Sequence, residues 1–194
     1  MVKKSHDVRF IKRVFTAYEK REIFRSKNPD RLLWVIWAAK EASYKVISKL
    51  HPGAHSIPRR YEVYLESDDE SPEKSGFVLS PFAAVPVRVY VCNEYIHCVG
   101  ISGEGEDWDS VVWKVEKMDI EGLSAQGESR LVRGMLGRDL SKVLHVNVGD
   151  IEILRKKGPG GLGPPQVYVK GRKSAMDISM SHDGSFMAYS FLTG

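Results

Sequence analysis

The sequence is poor in cysteine and has no long apolar run, and both absences narrow the class of protein. Cys92 and Cys98 are the two cysteines among 194 residues. That is too few for the disulfide framework of a small secreted domain, and no metal-ligand spacing surrounds them. We interpret both as reduced, half-buried residues. No window approaches the roughly 20 apolar residues of a membrane-spanning helix, and the first residues lack the apolar segment of a signal peptide. We therefore expect a cytoplasmic protein with no membrane part.

Charge of one sign is not in large excess either. The formal net charge is +4 and the pI is near 9. This balance suits an anionic ligand or an acidic protein partner, but it lacks the dense basic stripe of a dedicated nucleic-acid binder. No nucleic-acid partner is expected, and a basic nucleic-acid-binding α+β protein is the least favoured alternative.

Motifs of several common enzyme classes are missing as well. The glycines of segment 158–165 are not followed by Lys-Ser or Lys-Thr, so the segment is no phosphate-binding P-loop. Ser181, His182 and Asp183 are adjacent, whereas the members of a hydrolase triad come from separated positions. No Gly-x-Ser-x-Gly elbow occurs. The acidic run 68–70 lacks the alternating ligands of a calcium loop and is expected to be a solvated loop.

Periodic apolar residues predict three helical regions. Residues 8–24 follow the helical spacing, either as one helix or with Thr16 capping a second helix through a capping box with Glu19. A break at 28–30 is followed by the clearest helix, 31–50, which ends before Pro52 and Gly53. A further amphipathic helix is predicted over 124–144.

The remaining apolar segments alternate with a period of two and predict strands. They are rich in β-branched and aromatic residues, as strands are, and cover 61–65, 85–91, 95–101, 111–115, 148–154, 166–170, 176–181 and 186–192. Segments 66–74 and 103–109 are expected to be exposed loops. This order of elements predicts an α+β fold, with an antiparallel sheet packed against helices. We expect one domain over 1–194, with about 61–120 as an inserted β-rich region.

Glu41 and Lys45 lie four residues apart on the predicted helix 31–50 and therefore share one face. By spacing alone they form an ordinary ion pair worth ~0.3–0.5 kcal/mol. His182, at the end of a predicted strand, fits either a turn histidine or a group that binds phosphate or transfers protons. Neither pattern points to one chemistry by itself.

Four short segments, taken together and in their order along the chain, carry a more specific pattern. Residues 37–45 read Trp-Ala-Ala-Lys-Glu-Ala-Ser-Tyr-Lys and residues 179–182 read Ser-Met-Ser-His. Residues 9–19, ahead of the first of these segments, read Arg-Phe-Ile-Lys-Arg-Val-Phe-Thr-Ala-Tyr-Glu. Residues 163–167, ahead of the second, read Gly-Pro-Pro-Gln-Val. Together they resemble the 4'-phosphopantetheinyl transferase superfamily, in particular its single-repeat branch, the bacterial holo-acyl-carrier-protein synthases.

The resemblance implies an enzyme of lipid biosynthesis that transfers phosphopantetheine from coenzyme A to a serine of an apo acyl or peptidyl carrier protein, with Mg²⁺. It implies that Glu41 is a magnesium ligand and helps to activate the serine hydroxyl. Lys45 would offset charge on the bridging pyrophosphate, and Lys40 would contact the nucleotide phosphates. A hard cation held by carboxylate and phosphate oxygens agrees with these roles.

The resemblance also implies contacts outside the helix 31–50. Ser181 and His182 would lie against coenzyme A, and Arg9 and Arg13 would face the acidic helix of the carrier protein. Since the compact branch often builds its site between protomers, a homo-oligomer is one expectation. A monomer, with the longer middle region covering that surface, is the other.

One feature of the family has no counterpart. Its members open with a strand whose Asp is the other protein ligand of the metal, and nothing before residue 8 resembles that strand. Asp7 aligns better with the linker that follows it. The alternatives are a missing start, another carboxylate in its place, or a catalytically impaired relative that binds coenzyme A or a carrier protein.

Overall fold

The structure, a computed structural model, describes residues 7–66, 71–102, 108–119, 122–158 and 161–193. Contacts divide the chain into two compact units, 1–106 and 107–194. The first unit contains α1 Val8–Val14, α2 Ala17–Arg25, α3 Pro29–Leu50, β1 Glu62–Leu65, β2 Glu73–Leu79, β3 Ala84–Val91 and β4 Ile96–Gly100. The second contains β5 Val111–Lys117, α4 Ala125–Val143, β6 Ile151–Gly158, β7 Gly161–Val169, β8 Arg172–Lys173, β9 Ile178–Asp183 and β10 Phe186–Leu192.

Side-chain caps separate the helices of the first unit. The Thr16 hydroxyl accepts the Glu19 N–H at 3.2 Å, and the Glu19 carboxylate accepts the Thr16 N–H at 2.8 Å. This capping box starts a second helix, so the two-helix alternative for residues 8–24 is confirmed. Asn28 caps α3 by accepting the N–H of Arg31, and Pro29 occupies the first turn, where a missing N–H costs no hydrogen bond.

The sheet of the first unit is an antiparallel meander in the order β1-β2-β3-β4. Every second residue of β3 is buried, which places Val85, Val87, Val89 and Val91 on one face. Together with apolar residues of α3, this face forms the hydrophobic core of the unit. A side chain at Gly100 would lie 3.4 Å from Val46 of α3, so β4 runs directly beneath that helix.

Strand β2 was not predicted, and the expected exposed loop 66–74 is wrong at its end, because Glu73 and Lys74 are in this strand. Lys74 points to the buried side with 2% of its surface exposed, so charge interrupts the apolar alternation that identifies strands. Gly76 interrupts it again. A Cβ atom there would lie 2.0 Å from the carbonyl oxygen of Tyr64, so the close pairing of β1 and β2 requires glycine.

The second unit has two three-stranded antiparallel sheets, β5-β10-β9 and β6-β7-β8. Helix α4, capped by Ser124, packs Met135, Leu136 and Leu140 into a separate hydrophobic core. The segment 158–165, expected to be a flexible connection, is partly strand, since β7 begins at Gly161 and pairs with β6. The strands and helices confirm the α+β fold.

The region 61–120 does not form a compact unit of its own. Strands β1 to β4 pack beneath α3, whereas β5 pairs with β10 at the end of the chain. The single domain over 1–194 stays a prediction, because compact units also occur within one domain.

Candidate active site on helix α3

Aromatic contacts hold the motif helices of the first unit together. The Phe10 ring packs against Trp37 with ring centres 5.6 Å apart, and against Trp34 at 6.0 Å. Phe10 and Trp37 come from two different family-like segments. Their contact shows that the tryptophan of the Trp-x-x-Lys-Glu-Ala pattern is a packing residue that fixes α1 against α3.

A buried ion pair fixes α2 to α3. The Lys40 ammonium lies 2.8 Å from the Glu19 carboxylate, and the exposed fractions of the two side chains are 1% and 0%. Glu19 also accepts the N–H of Val63 in β1 at 2.9 Å. One carboxylate thus joins the start of α2, the middle of α3 and the first strand. Sequence analysis identified Glu19 as a capping residue, but it gave no sign of this pairing.

Lys40 has a full set of acceptors within the chain. Besides Glu19, its ammonium donates to the carbonyl oxygen of Pro58 at 3.0 Å and to that of Tyr61. An ammonium has three N–H groups, and all three are used here. Burial lowers the pKa of Lys40, and the Glu19 charge acts in the opposite direction. In this geometry the donors of the ammonium are already used within the chain. The contact with nucleotide phosphates implied by the resemblance stays a prediction.

The next residue, Glu41, is in a different environment. It is half-buried, and burial raises the pKa of its carboxyl, an effect that the Lys45 charge partly offsets. Burial without full charge compensation disfavours the ionised carboxylate. A bound cation would remove that penalty. Glu41 and Lys45 are thus brought together as the sequence predicted, one turn apart on α3.

Two residues of β4 that the sequence did not single out for function lie close enough to Lys45 for its charge to affect their pKa values. Burial lowers the pKa of His97 to about 4, with a smaller contribution from the Lys45 charge in the same direction. Burial raises the pKa of the Cys98 thiol, which Lys45 partly offsets. Both cysteines are free, as predicted, although Cys92 is exposed and only Cys98 is half-buried. The sequence gave no signal for His97, because the contact of β4 with α3 is tertiary.

The depressed pKa of His97 predicts a loss of stability in acid. Above pH 6.5 the His97 imidazole is mainly neutral in both the folded and the unfolded state. Below pH 6.5 the unfolded chain binds a proton at this residue, whereas the folded chain does not until the pH reaches about 4. The folded state should therefore lose up to ~3 kcal/mol between pH 7 and pH 4 from this group alone. Urea unfolding of wild type and His97→Gln at several pH values measures it.

The matched control for that experiment is His55→Gln, since His55 is exposed. The stability difference between wild type and His97→Gln should shrink or reverse as the pH falls from 7 to 4, and His55→Gln shows how much of that change the removal of an exposed histidine produces. A pH-independent difference for both variants would show that His97 titrates normally in the folded protein.

Ser181 and His182 lie in the second unit, on β9. The Nδ1 atom of His182 is 2.9 Å from the Glu128 carboxylate of α4, and 41% of the His182 side chain is exposed. A carboxylate at Nδ1 orients the ring and leaves Nε2 for a further partner. Ser181 lies opposite Ala188 of β10. Their predicted contact with coenzyme A stays a prediction.

Arg9 and Arg13 are exposed on α1 and so are placed where a protein partner can reach them. Asp7 caps the same helix. Its carboxylate accepts the N–H groups of Arg9 at 2.8 Å and Phe10 at 3.2 Å. Asp7 therefore has a structural role, in agreement with its alignment to a linker.

No group of three or more His, Cys, Asp or Glu side chains suited to a metal occurs among the described residues. Glu41 fits as one ligand, because Mg²⁺ is commonly held by one or two carboxylates, with water and substrate phosphates completing its coordination.

None of the described helices is long and apolar enough to cross a membrane.

Comparison with known proteins gives one match. A model of the 4'-phosphopantetheinyl transferase superfamily matches residues 2–91. No curated protein and no solved structure matches the chain. The match covers α1 to α3 and continues through β1 to β3, so it includes much of the region expected to be an insertion. It confirms the resemblance in that part of the chain and does not reach residues 179–182.

Proposed function

We propose that the chain transfers phosphopantetheine from coenzyme A to a serine of an apo acyl or peptidyl carrier protein, with Mg²⁺, because residues 2–91 match a model of the 4'-phosphopantetheinyl transferase superfamily. The match supports phosphopantetheine transfer as the general activity and a carrier protein as the partner. The observation that carries the proposal further is Glu41, a half-buried carboxylate one turn from Lys45 on the matched helix.

Glu41 is the proposed metal ligand on α3. Its carboxylate is disfavoured by burial and only partly compensated by Lys45, which suits a group that a cation completes. When bound, Mg²⁺ would neutralise charge on the pyrophosphate of coenzyme A. The resemblance also implies that Glu41 helps to activate the carrier serine hydroxyl, and we propose this as its second role.

Lys45 is proposed to offset the negative charge of the pyrophosphate. In the reaction the serine oxygen forms a bond to phosphorus, the pyrophosphate P–O bond breaks, and the nucleotide leaves with the electron pair. Positioning and charge compensation are the main needs of such a transfer. Lys40, which precedes Glu41 in the sequence, would hold α3 in place through its ion pair with Glu19 and would not touch the substrate.

The carrier protein is proposed to dock on α1. Arg9 and Arg13 are exposed there and would meet the acidic surface of the carrier. Complementary charge of this kind mainly speeds association and orients the partner. We place the reaction in the cytoplasm, where coenzyme A and carrier proteins meet, and propose that the coenzyme A contact includes Ser181 and His182.

The test is the intact mass of several apo carrier proteins after incubation with the chain, coenzyme A and Mg²⁺. We expect one of them to gain the mass of one phosphopantetheine, and its serine-to-alanine variant to gain nothing. Calorimetry with coenzyme A accompanies the assay. Saturable binding without any mass gain would instead identify a binding module, and neither binding nor transfer would refute the proposal.

A further inference from the structure

The second unit contains a cavity of about 250 Å³ between α4 and the start of β6. Its lining is Arg133, Gly134, Gly137, Val148, Ile151 and Ile153. Three branched apolar side chains, two glycines and one cation thus line one space, which is partly open to solvent because Gly134 and Val148 are exposed. A space of this volume holds about a dozen non-hydrogen atoms if each occupies ~20 Å³, which is less than the ~30 Å³ of a water molecule in the liquid.

Arg133 is the polar group of this cavity, and it lacks a partner. Its Nε atom is buried and has no hydrogen-bond acceptor, and across the part of the chain that the structure describes its guanidinium makes no ion pair. The two acidic residues of α4 are paired elsewhere, Glu128 with His182 and Asp139 with Lys142. A buried N–H without an acceptor is unfavourable. Arg133 as a whole is half-buried and lines the cavity, so an anion bound there would supply acceptors to its guanidinium.

The glycines of α4 keep the cavity open. Gly137 is buried, yet a Cβ atom built on it would meet no atom within 4 Å. A Cβ atom at Gly134 would approach only the end of the Arg138 side chain, at 4.0 Å. Glycine in the middle of a helix costs stability relative to alanine, and no close packing at these two positions requires it. The space beside Gly137 is therefore available to a ligand.

We propose that this cavity binds a small amphiphilic anion, a carboxylate or phosphate monoester with an apolar group of about six carbons. The anionic end would accept hydrogen bonds from Arg133, since a guanidinium matches both oxyanions in a two-pronged geometry. The apolar group would lie over Gly134 and Gly137 against Ile151 and Ile153. Val148, which is 52% exposed, would stand at the entrance. The site lies outside residues 2–91 and is independent of the proposed transfer.

The test is an NMR titration of the whole chain, without coenzyme A or carrier protein, that follows the amide signals of Gly134 and Gly137. Hexanoate and hexyl phosphate are the anionic probes, and 1-hexanol is the neutral one. We expect saturable shifts at both glycines with at least one anion, and about tenfold weaker binding of 1-hexanol. The stronger of the two anions identifies the natural headgroup.

Four variants sharpen the experiment. Arg133→Gln should weaken anion binding about tenfold, whereas Arg130→Gln, an exposed arginine of the same helix, should leave it unchanged. Gly137→Leu should abolish binding by filling the space. Gly137→Ala should fold with a higher melting temperature, because the helix gains and nothing clashes. Absence of saturable binding, equal binding of 1-hexanol, or unchanged anion binding by Arg133→Gln would overturn the proposal.

Discussion

Lys40→Met is expected to destabilise the first unit by about 3–5 kcal/mol. The change removes the cation of a buried pair and leaves the fully buried Glu19 carboxylate without its counter-charge. It also leaves the carbonyl oxygens of Pro58 and Tyr61 without their donor. Urea unfolding at pH 7, followed by tryptophan fluorescence, measures the loss.

A matched control comes from the second unit. Lys142 lies 2.8 Å from Asp139, the same separation as in the buried pair, but its side chain is 75% exposed. Lys142→Met should therefore cost no more than ~1 kcal/mol. In the double variant Glu19→Gln/Lys40→Met, part of the lost stability should return, because no uncompensated charge remains. Equal small losses for Lys40→Met and Lys142→Met would show that the Glu19–Lys40 pair does not hold the helices together.

Glu41→Gln is expected to reduce phosphopantetheine transfer by ~10²–10³-fold, since removal of the metal-binding carboxylate forfeits several kcal/mol of charge stabilisation. The same change should leave the fold intact or make it slightly more stable, because a carboxylate disfavoured by burial is replaced by a neutral amide. The initial rate of carrier modification and the urea midpoint, measured on one preparation, report both effects.

The control for Glu41→Gln is Glu22→Gln. Glu22 lies on α2, where it forms a surface ion pair with Arg25 at 3.7 Å. This variant should transfer phosphopantetheine at the wild-type rate. If Glu41→Gln retained the wild-type rate, the carboxylate would have no part in the reaction. If it unfolded the protein, its role would be structural, like that of Glu19.

Local signals in the sequence predicted the helices well. The capping box at Thr16 and Glu19 and the restart at Asn28 and Pro29 act within a few residues, so their effect can be seen without a tertiary structure. Strand β2 escaped prediction because Lys74 and Gly76 interrupt its apolar alternation. Both interruptions of the pattern have tertiary causes: Lys74 is buried, and Gly76 lies where two strands approach closely.

The candidate site was predicted only in part, again because local spacing can be read from the sequence and tertiary contacts cannot. The placement of Glu41 beside Lys45 follows from helical spacing alone. The role of Lys40 does not, since its partners Glu19, Pro58 and Tyr61 come from other segments of the chain. The family resemblance implied that Lys40 and Lys45 lie at the phosphates and that Glu41 binds the metal. In the structure the Lys40 ammonium is used within the fold, and the roles of Glu41 and Lys45 stay predictions.

The most direct test of the central claim is the metal dependence of transfer by the wild-type protein. One apo carrier protein is incubated with the chain and coenzyme A, once with Mg²⁺ and once with EDTA in its place, and its intact mass is followed over time. The account predicts a gain of one phosphopantetheine with Mg²⁺ and almost none with EDTA. Equal modification in both samples, or in neither, would contradict it.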